Sequence, residues 1–194
     1  MKLFFYDLET TGTNPARHGI HQISGKIVID GKEMETFDYH VQPNPKAQIE
    51  PKALEVGGVT EEQIKAYPPM WEVYPQITGM LGKYVDKFNR ADKFHLVGYN
   101  NRGFDDQFFR GFFLQNDDNY FGSWFWADSI DVMVLASAYL APIRHTLKDF
   151  KLATVAQALG IDTTAGKLHD ASFDIDVTEQ VYNIIMQKFI TRGA

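Results

Sequence analysis

The chain has 194 residues, of which 44% are hydrophobic and 23% charged, an ordinary balance for a globular protein. That balance excludes a disordered chain and a collagen-like fibre. A membrane-spanning protein is excluded too, because the longest mostly apolar stretch, Val132 to Ile143, falls well short of the roughly 20 residues a spanning helix needs. There is no cysteine, hence no disulfide framework, thiolate nucleophile or zinc–thiolate site. With 19 Lys+Arg against 25 Asp+Glu the net charge is −6, so bulk positive charge is not what would grip a nucleic acid. Met1 to Tyr6, followed at once by Asp7 and Glu9, is too short for a secretory signal, and the cytoplasm is the expected location. No repeat or linker interrupts the chain, and residues 1–194 are expected to form one domain.

Leu3 to Tyr6 is a solid apolar run ending at Asp7 and reads as a central strand buried on both faces. Thr11 to Pro15 is a breaker cluster. Ile20 to Ile29 and Glu33 to Val41 flank Asp30-Gly31, a hairpin signal. Gln42 to Gly58, with its prolines and glycines, reads as a long loop. Thr60 and Gln63 form a capping-box start for a short helix, Glu61 to Ala66. After Pro68-Pro69 comes a longer helix, about Trp71 to Asn89. Phe94 to Tyr99 is another strand and Phe104 to Leu114 a helix. Trp124 to Ala127 reads as a short strand, followed by a helix from about Ile130 to Leu140. Leu152 to Leu159 is a helix with Gly160 placed as its C-terminal glycine. Asp170 to Phe189 is the last helix, with Val177, Val181, Ile184, Ile185 and Phe189 on one face. A hairpin beside strands joined through helices argues for a mixed sheet with helices packed on it.

Asp7 and Glu9 are two apart at the end of a buried strand, so their side chains share one face. Two neighbouring carboxylates at such a place need a proton, a basic side chain or a metal ion to neutralise them. A plain turn at Glu9-Thr10-Thr11-Gly12 is the alternative. Asp105 follows the fourth strand and can join them from the neighbouring strand end, or can serve as a first-turn acid, a role that suits Asp106 better. His169 and Asp174 are five apart and converge only if His169 precedes the helix while Asp174 lies one turn inside it. Asp176 reads as a solvated helix position. Four carboxylates suit hard divalent cations, and a histidine near its ordinary pKa can accept a proton from water.

The ordered set Asp7-Leu8-Glu9-Thr10-Thr11-Gly12, Phe104-Asp105 and His169 with Asp174 resembles the DnaQ-like 3′→5′ exonucleases that carry four acidic residues and a catalytic histidine. It is most similar to the nuclease domain of bacterial exonuclease I, through Glu9 to Pro15, Gly98 to Asp106, Asp131-Val132-Met133, Phe150-Lys151-Leu152 and His169-Asp170-Ala171. The resemblance implies an α/β, ribonuclease H-like fold: a five-stranded mixed sheet, strand 2 antiparallel, with helices on both faces. It implies two divalent ions, Mg2+ or Mn2+, held by Asp7, Glu9, Asp105 and Asp174, with Asp7 bridging. His169 would be the general base. Leu8 and Thr10 would touch the terminal nucleotide, and Lys151 would meet the strand as a point charge without bidentate geometry.

The expected activity is metal-dependent 3′→5′ hydrolysis of single-stranded DNA to 5′-mononucleotides. The same chemistry on RNA or short oligoribonucleotides is one alternative, and a non-catalytic module that binds nucleic acid or a partner is another. Lys83, Lys87, Arg90, Lys93, Arg102 and Arg110 form a basic stretch that could track a phosphate backbone, although Lys83 to Arg90 fit a solvated helix face better.

Overall fold

The computed structural model describes residues 1–163 and 171–192. Its centre is a five-stranded sheet in the order β3-β2-β1-β4-β5. The strands are β1 (Lys2–Thr10), β2 (Ile20–Ile29), β3 (Lys32–His40), β4 (His95–Gly98) and β5 (Ile130–Asp131). β2 runs antiparallel to β1 and β3, whereas β4 is parallel to β1 and to β5. This is the mixed topology expected, with the second strand reversed.

β1 is longer than its apolar run and continues through Asp7, Leu8 and Glu9 as paired strand. Its alternation sorts the molecule. Phe4, Tyr6 and Leu8 enter one core with α3 (Met70–Gly82), α4 (Asp105–Gln115) and α5 (Phe121–Trp124). Leu3 and Phe5 enter the other, with α6 (Val132–Tyr139), α7 (Leu152–Ala158) and α8 (Ala171–Arg192). Helices therefore cover both faces. Asp7 and Glu9 continue the Leu3–Phe5 stripe and face the α8 side. Phe5 meets Tyr182 of α8 edge-on at 5.7 Å between ring centres. Val177, Val181 and Ile185 are fully buried as expected, but Phe189 is exposed.

The hairpin turns at Asp30 (φ 51°) and Gly31 (φ 79°), the two left-handed positions that match the twist of the strands. The capping box at Thr60 and Gln63 closes in both directions on α2 (Glu61–Lys65). Gly160 follows α7 as anticipated, and Ile161 N–H closes the helix end on the Ala156 carbonyl at 2.9 Å.

Several elements differ from expectation. The segment read as a long loop contains α1 (Pro51–Gly57), where Pro51 occupies the first helical turn and so starts a helix rather than breaking one. α3 stops at Gly82, and Val85 is turned back into the core by its N–H bond to the Leu81 carbonyl. Trp124 ends the short helix α5, and Phe125 makes only an isolated bridge to Phe94. The fifth strand is instead Ile130–Asp131, two residues too few to leave a periodic signal. Asp170, the expected start of the last helix, lies outside the described residues.

Candidate active site

The turn after β1 is built by its own polar side chains. Thr10 Oγ1 donates to the Gly12 carbonyl at 2.8 Å, and Thr11 Oγ1 donates to the Gln48 carbonyl at 2.6 Å. Thr11 Oγ1 also accepts the Gly19 N–H at 3.0 Å, and the Thr11 carbonyl accepts the Glu50 N–H at 2.8 Å. Gly12 is a glycine of necessity, since a Cβ there would stand 2.6 Å from the His18 ring. The Thr-Thr-Gly run thus fixes where Glu9 leaves the sheet.

Asp105 arrives from the other side. It is the first residue of α4 and is buried. The turn carrying it is tied to β5 through Asp131, whose Oδ1 accepts the Asn100 N–H at 3.0 Å and the Met133 N–H at 2.9 Å. Its neighbour Asp106 is a first-turn acid, as read from the sequence, and does more than cap the helix. Asp106 accepts hydrogen bonds from Tyr6 Oη, Asn101 Nδ2 (3.0 Å) and Ser129 Oγ, joining β1, the β4–α4 turn and the approach to β5. Nothing in the spacing of Tyr6, Asp106 and Ser129 marks this hub in advance.

Asp174 comes from the first turn of α8, where the helix dipole favours a carboxylate. It lines a cavity of about 140 Å³ with Asp7, Tyr99, Leu152 and Thr178. Three separate elements, β1, α4 and α8, therefore bring Asp7, Glu9, Asp105 and Asp174 close enough to feel one another's charge. His169 lies outside the described residues. α8 is pinned above the sheet by Lys26 of β2, a buried lysine whose Nζ stands 2.7 Å from Glu179 Oε2 and also binds Asp176. Asp176 is exposed, as anticipated, and is in addition an ion-pair partner. A lone lysine inside the apolar run Ile20–Ile29 was the available signal for this tie.

The electrostatics follow from the crowding. Burial, then the charges of Asp105, Glu9 and Asp174, push the Asp7 carboxyl well above its usual range. Burial and Asp174 push Glu9 up to about 7. Asp105 also reaches about 7, mainly through burial. Backbone N–H bonds, one of them from Leu8, work against that rise, while Asp106 and Glu9 add to it. Each of these carboxyls is pushed toward its protonated form for want of a positive charge. An oxygen-only donor set in that condition fits a hard divalent cation. Among the described residues no group of three or more His, Asp or Glu side chains is placed to hold a metal ion. Magnesium does not demand one, because it keeps waters and takes substrate phosphate oxygens beside one or two carboxylates.

The residues expected to meet substrate are less alike. Leu8 is buried in the first core, and its N–H serves Asp105. The Thr10 hydroxyl is used within its own turn. Lys151 is exposed, just before Leu152 on the cavity wall, and its N–H bonds Asp149 Oδ1 at 3.1 Å. Four of the six residues in the basic stretch are engaged locally. Lys83 pairs with Glu35 at 2.8 Å, Lys87 lies over Phe88 and Trp124, Lys93 over Trp126 and Arg110 over Phe121. Lys2 Nζ binds the Tyr84 carbonyl and Asp92, which sets the segment from Tyr84 to Asp92 at the amino end of β1, about 23 Å along the strand from Glu9.

The model of the RNase_T exonuclease family matches residues 4–182. A DNA polymerase III PolC-type of Mycoplasmopsis pulmonis is 24% identical over 189 residues, covering 97% of this chain and 12% of its own. Exodeoxyribonuclease I of Buchnera aphidicola is 26% identical over 212 residues, covering 97% of this chain and 40% of its own. Among solved structures, E. coli exonuclease I in complex with a dT13 oligonucleotide superposes with a TM-score of 0.71 at 23% identity, over 97% of this chain and 40% of that one. The chain thus spans well under half the length of these relatives, and the fold is the ribonuclease H-like fold of exonuclease I. By its match along nearly its whole length, the chain belongs to the RNase_T family of DnaQ-like exonucleases.

Proposed function

We propose that this exonuclease removes 5′-mononucleotides from the 3′ end of single-stranded DNA, with two divalent ions, Mg2+ or Mn2+, held by Asp7, Glu9, Asp105 and Asp174. The observation that carries this reading is the convergence of those four carboxylates, with the pKa values of Asp7, Glu9 and Asp105 raised by burial and by neighbouring charges. When bound, such ions stabilise the attacking and leaving oxygens of an in-line phosphoryl displacement. The chain's own part is positional. Asp7, on the rigid centre of the sheet, fixes the common point between the other three. Leu8 acts by holding Asp105 through its N–H, since its side chain is committed to the core. Thr10 shapes the rim where the terminal nucleotide enters. Lys151, beside the Asp7–Asp174 cavity, offers a point charge to a phosphate. His169, five residues before Asp174, accepts the proton of the attacking water. DNA is favoured because an exonuclease I of the same fold holds a dT13 oligonucleotide.

The test is a time course on 5′-labelled single-stranded DNA and the matched RNA, with magnesium, manganese or chelator. A metal-dependent ladder shortening from the 3′ end, faster on DNA, is expected. Faster shortening of RNA moves the substrate to the ribonuclease branch, and no shortening of either contradicts the activity.

A further inference from the structure

His21 of β2 is 1% exposed, and neither of its ring nitrogens has a hydrogen-bond partner among the described residues. Its place comes from a break in the sheet register. Glu9 pairs with Gln22 but Thr10 pairs with Ile20, so His21 is the extra residue of a β-bulge. Ile20 and Ile23, three apart, both enter the first core, which strict alternation would not allow. The bulge leaves His21 beside Gly57, the last residue of α1. A Cβ added at Gly57 would stand 3.6 Å from Glu9 Oε2 and 3.7 Å from His21 Nε2, so one small space borders both groups. We propose that His21 is a positioning residue for the reaction: through a water seated in that space, its imidazole holds the Glu9 carboxylate toward the divalent-cation site. The inference rests on the exonuclease reading above and adds a residue to the support of its metal site.

The two groups complement each other. A buried imidazole without a partner is costly, so a polar neighbour at this spot stabilises it. Burial, then the nearby His40, drives the His21 pKa down to about 4, so the ring is neutral and offers one N–H and one lone pair. Glu9 in turn lacks a donor. Asp105 is held by backbone N–H groups, that of Leu8 among them, whereas burial and the charge of Asp174 are what act on the Glu9 carboxyl. Carboxylates that ligate metals are themselves held by hydrogen bonds, and losing such a partner weakens metal binding by roughly 10–100-fold. The space between them suits a methyl group or a water, and a water bonded to both satisfies the imidazole and orients the carboxylate. Gly57 keeps that space open. Its φ is not positive, so its lack of a side chain serves the space and not the backbone.

The experiment titrates manganese calorimetrically into wild type, His21→Leu, His21→Gln and Gly57→Ala, and measures magnesium activation of single-stranded DNA hydrolysis beside it. His21→Leu removes the imidazole, whereas Gly57→Ala fills the space with a methyl group and leaves both partners in place. Each should weaken manganese binding about tenfold and raise the magnesium needed for half-maximal turnover by a similar factor. KM for DNA should stay within about twofold, because the substrate does not touch His21. His21→Gln, which keeps an N–H donor, should stay within about threefold of wild type on both readings. Metal-free melts should show His21→Leu and Gly57→Ala no less stable than wild type, since one loses an unpaired buried polar group and the other gains helix propensity. Wild-type manganese affinity in either folded variant overturns the assignment, and so does an equal loss in His21→Leu and His21→Gln, which would make the effect one of packing. Both results leave the exonuclease reading standing, whereas a wild type that neither binds manganese nor shortens DNA removes both.

Discussion

Lys26 Nζ lies 2.7 Å from Glu179 Oε2, and the same buried ammonium binds Asp176, two residues beyond Asp174. A cation in β2 therefore sets the height and rotation of α8, and with it the position of the fourth carboxylate. Lys26→Met is expected to cost about 1–3 kcal/mol, less than a fully buried pair because Asp176 is half exposed. Urea unfolding measures that loss. Turnover should fall by a larger factor than stability alone explains, because Asp174 is no longer held.

The carboxylate cluster is built against stability. Asp105→Asn removes a buried charge that Asp106 and Glu9 repel. Without metal at pH 8 the variant should melt higher than wild type, while hydrolysis falls by about a thousandfold or more. Differential scanning calorimetry with chelator, beside an activity assay, reads both. A variant that melts lower and keeps its activity would show Asp105 to be a structural cap.

The pH dependence has a definite sign. Glu9 and Asp105 titrate near 7 in the fold, against ordinary values of 4.5 and 3.8. Between those limits the native state retains protons that the unfolded chain has lost. Stability of the metal-free protein should therefore fall as pH rises from about 4 to about 7 and level off above. Magnesium should flatten that slope, because it takes the place of the retained protons. Chemical unfolding at a series of pH values, with and without magnesium, tests this.

Asp106 supports Asp105 from behind. Tyr6→Phe deletes one of its three donors and should cost about 1 kcal/mol. If the hub positions Asp105, kcat should drop several-fold with KM little changed; equal activity would confine the network to stability.

Much of this was legible before the structure. β1, the hairpin at Asp30-Gly31, the capping box at Thr60 and the four carboxylates all follow from local signals: apolar runs, left-handed turn residues, and acids where a strand ends or a helix begins. What escaped was non-local or short. Pro51 was read as a breaker because nothing local shows that it opens α1. Ile130–Asp131 is strand only because Val97 and Gly98 pair with it. Asp176 is an ion-pair partner because Lys26, 150 positions away in the chain, is buried beneath it. The Tyr6–Asp106–Ser129 hub likewise depends on tertiary folding that no spacing encodes.

The central claim is that Asp7, Glu9, Asp105 and Asp174 act together as one divalent-cation site. A calorimetric titration of manganese into wild type, Asp7→Asn and Asp174→Asn at neutral pH tests it most directly. Binding by wild type, with proton release, and its loss or marked weakening in both folded variants is the expected result. Equal manganese binding in all three proteins would contradict the account.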